Sequence, residues 1–173
     1  MLGPLPIEIR HQPKDLNVEE TGKTYLENAL LKGIAAAKMT NSWTISDDSG
    51  LEIDALNGDP GIYSARFAKN NQEKIKKVLT AMEEIPYRSA RLHSVMVLCN
   101  PEGSPITNAE GICWGEILKK PAYSGGEFES IFWVKETQCS YGELSEQQLL
   151  KVGSRGKAAR AIAPSLLNAL GIN

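Results

Sequence analysis

Three observations predict one domain of α/β or α+β fold with a mixed sheet. Segments of helical periodicity are interspersed with segments of period two, and the two longest strand-like segments read as a hairpin. The third is length: 173 residues fit one domain, and a domain near this size buries roughly 70% of its unfolded-chain surface. With 42% hydrophobic residues, such a core forms without disulfides.

Taken in order, Leu2 to Arg10 alternates Leu5, Ile7 and Ile9 with Pro6, Glu8 and Arg10, the pattern of a strand. Residues 11–23 are polar and loop-like. Thr24 opens a helix with Glu27 three positions on as a capping box, and Leu26, Ala29, Leu30, Ile34 and Ala37 form its core face. Thr44-Ile45 begins a short strand that runs into Asp47-Asp48-Ser49-Gly50. Leu51, Ile53 and Ala55 then alternate with Glu52 and Asp54 as a half-buried strand, and residues 57–61 carry turn chemistry. Ile75, Val78, Leu79 and Met82 fall at i, i+3, i+4 and i+7, which predicts a helix over 71–84. Residues 90–99 and 107–118 read as strands joined at Asn100-Pro101-Glu102-Gly103, and Ile131 to Val134 as a shorter one. Ser145 caps a short helix to about Val152. A last helix spans Lys157 to Leu170, stopped by Gly171 and kinked or shortened by Pro164.

Composition excludes several functions. Nineteen basic against 21 acidic residues leave a net charge of -2 with no basic stripe, which argues against polymeric nucleic acid or an anionic membrane as partner. The longest apolar run, Val95 to Cys99, is far below the ~20 residues of a membrane helix, and no charged n-region with a long apolar stretch marks a signal peptide. Cys99, Cys113 and Cys139 form no Cys-x-x-Cys pair and read as buried free thiols in a reducing cytosol. With only His11 and His93, a His-rich metal centre is excluded. Chemistry must rest on carboxylates, hydroxyls, Lys, Arg and backbone.

The densest polar cluster is Asp47-Asp48-Ser49-Gly50. These are common turn residues, and a turn is one reading. A hard-cation site is the other, since oxygen donors without nearby His or Cys suit Mg²⁺. In a strand, Asp47 and Asp48 would point to opposite faces, so only one serves a given site. Glu19-Glu20-Thr21-Gly22 reads as helix-entry charge or as a further metal carboxylate. Lys32, in an otherwise apolar helix, snorkels to water or balances phosphate charge. Gly125-Gly126 is a ligand loop or a strand-entry turn. Ser154-Arg155-Gly156-Lys157 sets cations at a helix start, which suits a bound anion or a solvated surface. Trp43, Trp114 and Trp133 read as core or edge packing.

Taken together, Glu19-Glu20-Thr21-Gly22, Glu27-Asn28-Ala29-Leu30-Leu31-Lys32 and Asp47-Asp48-Ser49-Gly50-Leu51 are similar to the inosine triphosphate pyrophosphatase, or Ham1-like, family. The likeness continues through Asp54-Ala55-Leu56-Asn57-Gly58 and Pro60-Gly61-Ile62-Tyr63-Ser64-Ala65-Arg66. It extends more loosely through Gly115-Glu116-Ile117, Ile131-Phe132 and Glu143-Leu144-Ser145. The resemblance implies an elongated mixed sheet flanked by helices, with two lobes and a central cleft. It also implies a Mg²⁺-dependent cytoplasmic homodimer that hydrolyses inosine and xanthosine triphosphates, and their deoxy forms, to monophosphate and pyrophosphate. On matching positions it makes Asp48 the general base and a metal contact and Glu20 a metal carboxylate. Ser49, Lys32 and Arg155 become substrate contacts.

The departures fall on ligand recognition. The family opens with a strand and a Ser/Thr-Gly-Asn-x-x-Lys phosphate loop, whereas Met1 to Leu5 matches the end of the helix that follows it. The expected organisation is therefore one domain over 1–173 lacking that strand and loop. The family's Phe-Gly-Tyr-Asp-Pro segment stands here as Gly126-Glu127-Phe128-Glu129-Ser130, leaving Phe128 and Glu129 as the base contacts. Its Ser-His-Arg-Gly becomes Gly153-Ser154-Arg155-Gly156, and a family lysine falls on Leu149. These changes predict an altered base preference. A catalytically impaired nucleotide-binding or structural relative is the alternative expectation.

Overall fold

A computed structural model describes residues 7–172. Helix α1 spans Tyr25–Thr40, with the Thr24 hydroxyl accepting from the Glu27 N–H at 3.1 Å and Asn41 closing it in the left-handed region. Strand β1 spans Thr44–Ile53, α2 Asn71–Ala81, β2 Ser89–Cys99 and β3 Pro105–Ile117. Then come β4 at Phe132–Val134, β5 at Cys139–Ser140, α3 at Glu146–Val152 and α4 at Ser154–Ala169. The strands form one sheet in the order β1-β2-β3-β4-β5, antiparallel at the β3–β4 and β4–β5 pairings, where Ile117 faces Phe132 and Val134 faces Cys139. This is the expected α/β architecture of a central sheet flanked by helices.

The chain divides into two compact units, and β1, β2 and β3 contribute residues to both. The first holds residues up to 48, 94–111 and from 155 onward. In it β2 alternates faces, as a pleated strand must. Val97 and Cys99 pack with Ala29 and Ala37 of α1, while Met96 and Leu98 pack with Ala158, Ala159, Ile162 and Leu166 of α4. Helix α1 comes very close to the sheet. A Cβ at Gly33 would lie 2.6 Å from the Ser46 hydroxyl, which itself donates to the Ala29 carbonyl. The second unit, residues 49–93 and 112–154, closes around Leu51, Ile53, Val78, Met82, Phe132 and Val134.

Several expectations need correcting. Asp47-Asp48-Ser49-Gly50 is not a turn between two strands but the middle of one ten-residue strand. Ala55 lies in a 3₁₀ turn over Asp54–Leu56 rather than extending that strand. Of the strand expected over Leu2–Arg10, residues 1–6 lie outside the described residues. Residues 7–10 form no ladder: Ile7 is half-buried against the cluster of Met96 and Leu98, but Ile9 is 70% exposed. Helix α4 begins three residues before Lys157 and runs through Pro164 unbroken. Trp114 is 46% exposed, with the Arg91 guanidinium over its ring 5.3 Å from the centroid. The three cysteines are free thiols, but only Cys99 and Cys113 are buried as expected, and Cys139 is half-buried. No helix among the described residues is long and apolar enough to cross a membrane.

Candidate active site

The centre of the site is set by strand alternation. Asp48 points to the α1 side of β1 and is nearly buried, while its neighbour Asp47 points the other way. A nearly buried carboxylate needs donors or a cation, and α1 supplies both. Asp48 Oδ1 accepts from the Lys32 ammonium at 2.8 Å, and Oδ2 accepts from the Asn28 side-chain amide at 3.2 Å. Lys32 and Asn28 are one helical turn apart, so they occupy one face of α1.

Lys32 gathers a second carboxylate. Its ammonium donates to Glu20 Oε1 at 2.9 Å, bringing the acidic loop before α1 against β1. Burial alone would lower the Lys32 pKa, but hydrogen bonds and charge from Asp48 and Glu20 outweigh it and hold the ammonium above its usual range. The cluster of Glu20, Asp48 and Lys32 thus carries one net negative charge.

Asp47 belongs to the other side of β1, where its Oδ2 accepts from Arg155 Nε at 2.9 Å. Arg155 stands in the first turn of α4, so the basic start of this helix meets an anion that is a side chain of the same protein. Ser49 follows Asp48 on the strand and is half-buried.

Phe128 and Glu129 lie in the second unit, on a 3₁₀ turn over Phe128–Ile131. Phe128 is buried, its ring 6.4 Å from that of Phe67 and 6.0 Å from the Lys74 ammonium. Glu129 Oε1 accepts from the Glu127 N–H. Burial, and secondarily the charge of Glu129, push the Tyr123 hydroxyl pKa up. Gly125-Gly126 forms a loop with Gly125 at φ 84°, bordering a cavity of about 580 Å³ with Ile75, Leu79 and Tyr123. Apart from Gly125-Gly126, that cavity is lined by none of the residues expected at the site.

Of the residues singled out from sequence, the structure brings together Asp48, Glu20 and Lys32 in the first unit, with Arg155 there paired to Asp47. Sequence reasoning missed Asn28, which is fully buried yet polar and sits beside Ala29 on the core side of α1. A polar residue next to that apolar stripe, four positions before Lys32, was the available signal.

Among the described residues no group of three or more His, Cys, Asp or Glu side chains converges as a metal cage. Two carboxylates do converge, on one ammonium within 2.9 Å of each. That donor set suits Mg²⁺, which takes one or two carboxylates and completes its shell with water and substrate phosphate.

A model of the Ham1 family matches residues 1–165. The chain is 43% identical over 160 residues to a dITP/XTP pyrophosphatase of Nostoc sp., covering 92% of this chain and 82% of that relative. Among solved structures it is similar to the Ham1 protein of Staphylococcus aureus, with a TM-score of 0.80 and 37% identity over 90% of this chain and 82% of the other. A HAM1 protein from Coxiella burnetii gives a TM-score of 0.79 and 38% identity, covering 88% and 81%.

Proposed function

This chain belongs to the Ham1 family, and on that premise we propose that it is a hydrolase of inosine and xanthosine triphosphates and their deoxy forms. The products are the nucleoside monophosphate and pyrophosphate. The observation that carries this is the convergence of Asp48 and Glu20 on Lys32, a compact oxygen-donor cluster with net negative charge. Relatives of 43% and 42% identity, from Nostoc sp. and Synechocystis sp., are dITP/XTP pyrophosphatases.

Glu20 and Asp48 are the residues that would hold Mg²⁺. When bound, the ion offsets phosphate charge and lowers the pKa of an attacking water. Asp48 orients that water and accepts its proton as the water oxygen bonds to the α-phosphorus. The bond from that phosphorus to the bridging oxygen breaks, and pyrophosphate departs with the electron pair. Lys32 and Arg155 neutralise phosphate oxygens, and Ser49 contacts the substrate. Phe128 offers an aromatic face to the base and Glu129 an acceptor. With Leu149 in place of a cation and Ser154 in place of an imidazole, discrimination among purines is relaxed, because fewer polar groups are left unpaired by the wrong base. Residues 1–173 act as one catalytic domain within a cytoplasmic homodimer, without a membrane or polymeric nucleic acid as partner.

The test is pyrophosphate release by the purified protein with Mg²⁺ and inosine, xanthosine and guanosine triphosphates in parallel. Release from the first two, with guanosine triphosphate only weakly discriminated against, that is lost in Asp48→Asn with the variant still folded is the expected result. No release from any of the three would favour the impaired, nucleotide-binding relative.

A further inference from the structure

We propose that Asn28 is a positioning residue of this reaction, fixing the Asp48 carboxylate relative to the loop that carries Glu20. This rests on the reading of Asp48 as the general base. Asn28 is fully buried, and both ends of its amide are used. The Gly22 N–H donates to Oδ1 at 2.8 Å, and Nδ2 donates to Asp48 Oδ2 at 3.2 Å. The Gly22 bond decides which way the amide faces. Reversed, the amide would set N–H against N–H at Gly22 and oxygen against the Asp48 carboxylate.

Asn28 and Lys32 therefore span the same two segments, one turn apart on α1, with different physics. Lys32 reaches Glu20 and Asp48 through a flexible four-carbon stem and holds them by charge. Asn28 reaches Gly22 and Asp48 through a short, neutral and fully packed amide, so it sets geometry rather than charge. Each Asp48 oxygen is thereby held by a different residue, which fixes the rotation of the carboxylate plane. The loop side is fitted to this contact as well. A Cβ on Gly22 would sit 2.6 Å from Asn28 Oδ1 and 2.9 Å from the Asn28 backbone nitrogen, so only glycine lets the loop approach this closely.

The test compares three variants with the wild-type protein. Asn28→Asp keeps the acceptor for the Gly22 N–H but turns a carboxylate oxygen toward Asp48. Its kcat should fall roughly 100-fold, the scale of a small misplacement in the reacting constellation, with KM changed less than about threefold. Gly22→Ala, which disturbs the same relay from the loop side, should lower kcat in the same direction, and it decides the matter if Asn28→Asp does not fold. Asn28→Ala removes the acceptor, and amide hydrogen exchange at Gly22 should speed up at least about tenfold while exchange in the rest of α1 is unchanged.

Unchanged kcat in both Asn28→Asp and Gly22→Ala overturns the proposal, as does a rise in KM with kcat intact. Unchanged Gly22 exchange in Asn28→Ala also overturns it, independently of any activity. Asp48→Asn run alongside separates the two levels. If that variant still turns over substrate, the assignment of Asp48 fails and this role fails with it. If it is inactive while Asn28→Asp and Gly22→Ala keep full kcat, only the role of Asn28 fails.

Discussion

Replacing Lys32 by Met keeps most of the side chain's volume and removes the one ammonium that Asp48 and Glu20 share. At 2.8 Å, two unit charges attract by about 6 kcal/mol at an effective permittivity of about 20, before the opposing cost of taking both out of water. Removing one member of a buried pair typically costs about 3–5 kcal/mol, because the partner is left uncompensated. The Lys32 side chain keeps 24% exposure, so the lower end applies, and Lys32→Met should destabilise by about 3 kcal/mol near neutral pH. The sign with pH follows from the raised Lys32 pKa. The stabilisation is fully present below its unfolded value of 10.5 and is lost as pH rises through the higher folded value. Urea unfolding of both proteins at pH 7.5, and again in strong alkali, measures the gap. A gap under about 0.5 kcal/mol at pH 7.5, or a variant more stable than the parent, would refute the reasoning, since apolar replacements of ion pairs are stabilising only where the pair's desolvation exceeds its attraction.

Gly33→Ala forces a methyl to within 2.6 Å of the Ser46 hydroxyl and 3.1 Å of Cys99 Sγ, and should destabilise by about 1–3 kcal/mol in urea titrations. Glu52 is buried enough to raise its pKa, yet hydrogen bonds from His93 and Arg91 outweigh this and lower it. Its contribution is therefore complete above pH 4.5 and fades as pH falls through the lowered value, so Glu52→Gln should lose stability at pH 7 and match the parent's urea midpoint in stronger acid. Arg155→Ala breaks only an exposed pair with Asp47, so stability should change by less than about 1 kcal/mol while KM for the nucleotide rises in steady-state assays.

Elements whose causes are local were legible in the sequence. Thr24 and Ser145 do cap α1 and α3, although Glu27 accepts from the Lys23 N–H and not from that of Thr24, so the expected capping box does not close. The turn at Asn100 joins β2 and β3 through the Asn100–Ser104 backbone bond. Where sequence reading failed, the deciding contacts were distant. Four consecutive turn formers became the middle of β1 because Asp48 is held by partners 16 and 20 residues away, which no window across the segment contains. Asn28 was overlooked for the same reason, its two partners flanking α1 on separate segments. Ile7 and Ile9 erred the other way, since Ile7 packs on the Met96 and Leu98 cluster without a strand ladder and Ile9 is left exposed. With two residues, β5 is too short for any periodicity to register. Asp48, Glu20 and Lys32 were singled out together only through the family resemblance, because their meeting depends on contacts between the loop before α1, α1 itself and β1, and of the two lysines of α1 only Lys32 makes them.

Neither compact unit is a continuous stretch of chain, and this bears on how the protein is made. The first unit needs segments on both sides of the second, since Met96 and Leu98 close against Ala158, Ala159 and Ile162. On a ribosome adding about 5–20 residues per second, α1 and β1 emerge several seconds before α4. The contacts of Lys32 and Asn28 with Asp48 span few residues and can form during that wait. The α4 side of β2 lacks the cover of Ala158, Ala159, Ile162 and Leu166 until α4 has emerged. Slowed elongation between residues 100 and 155 would therefore prolong exposure of Met96 and Leu98, and a chaperone bound to a stalled nascent chain should be found on that strand.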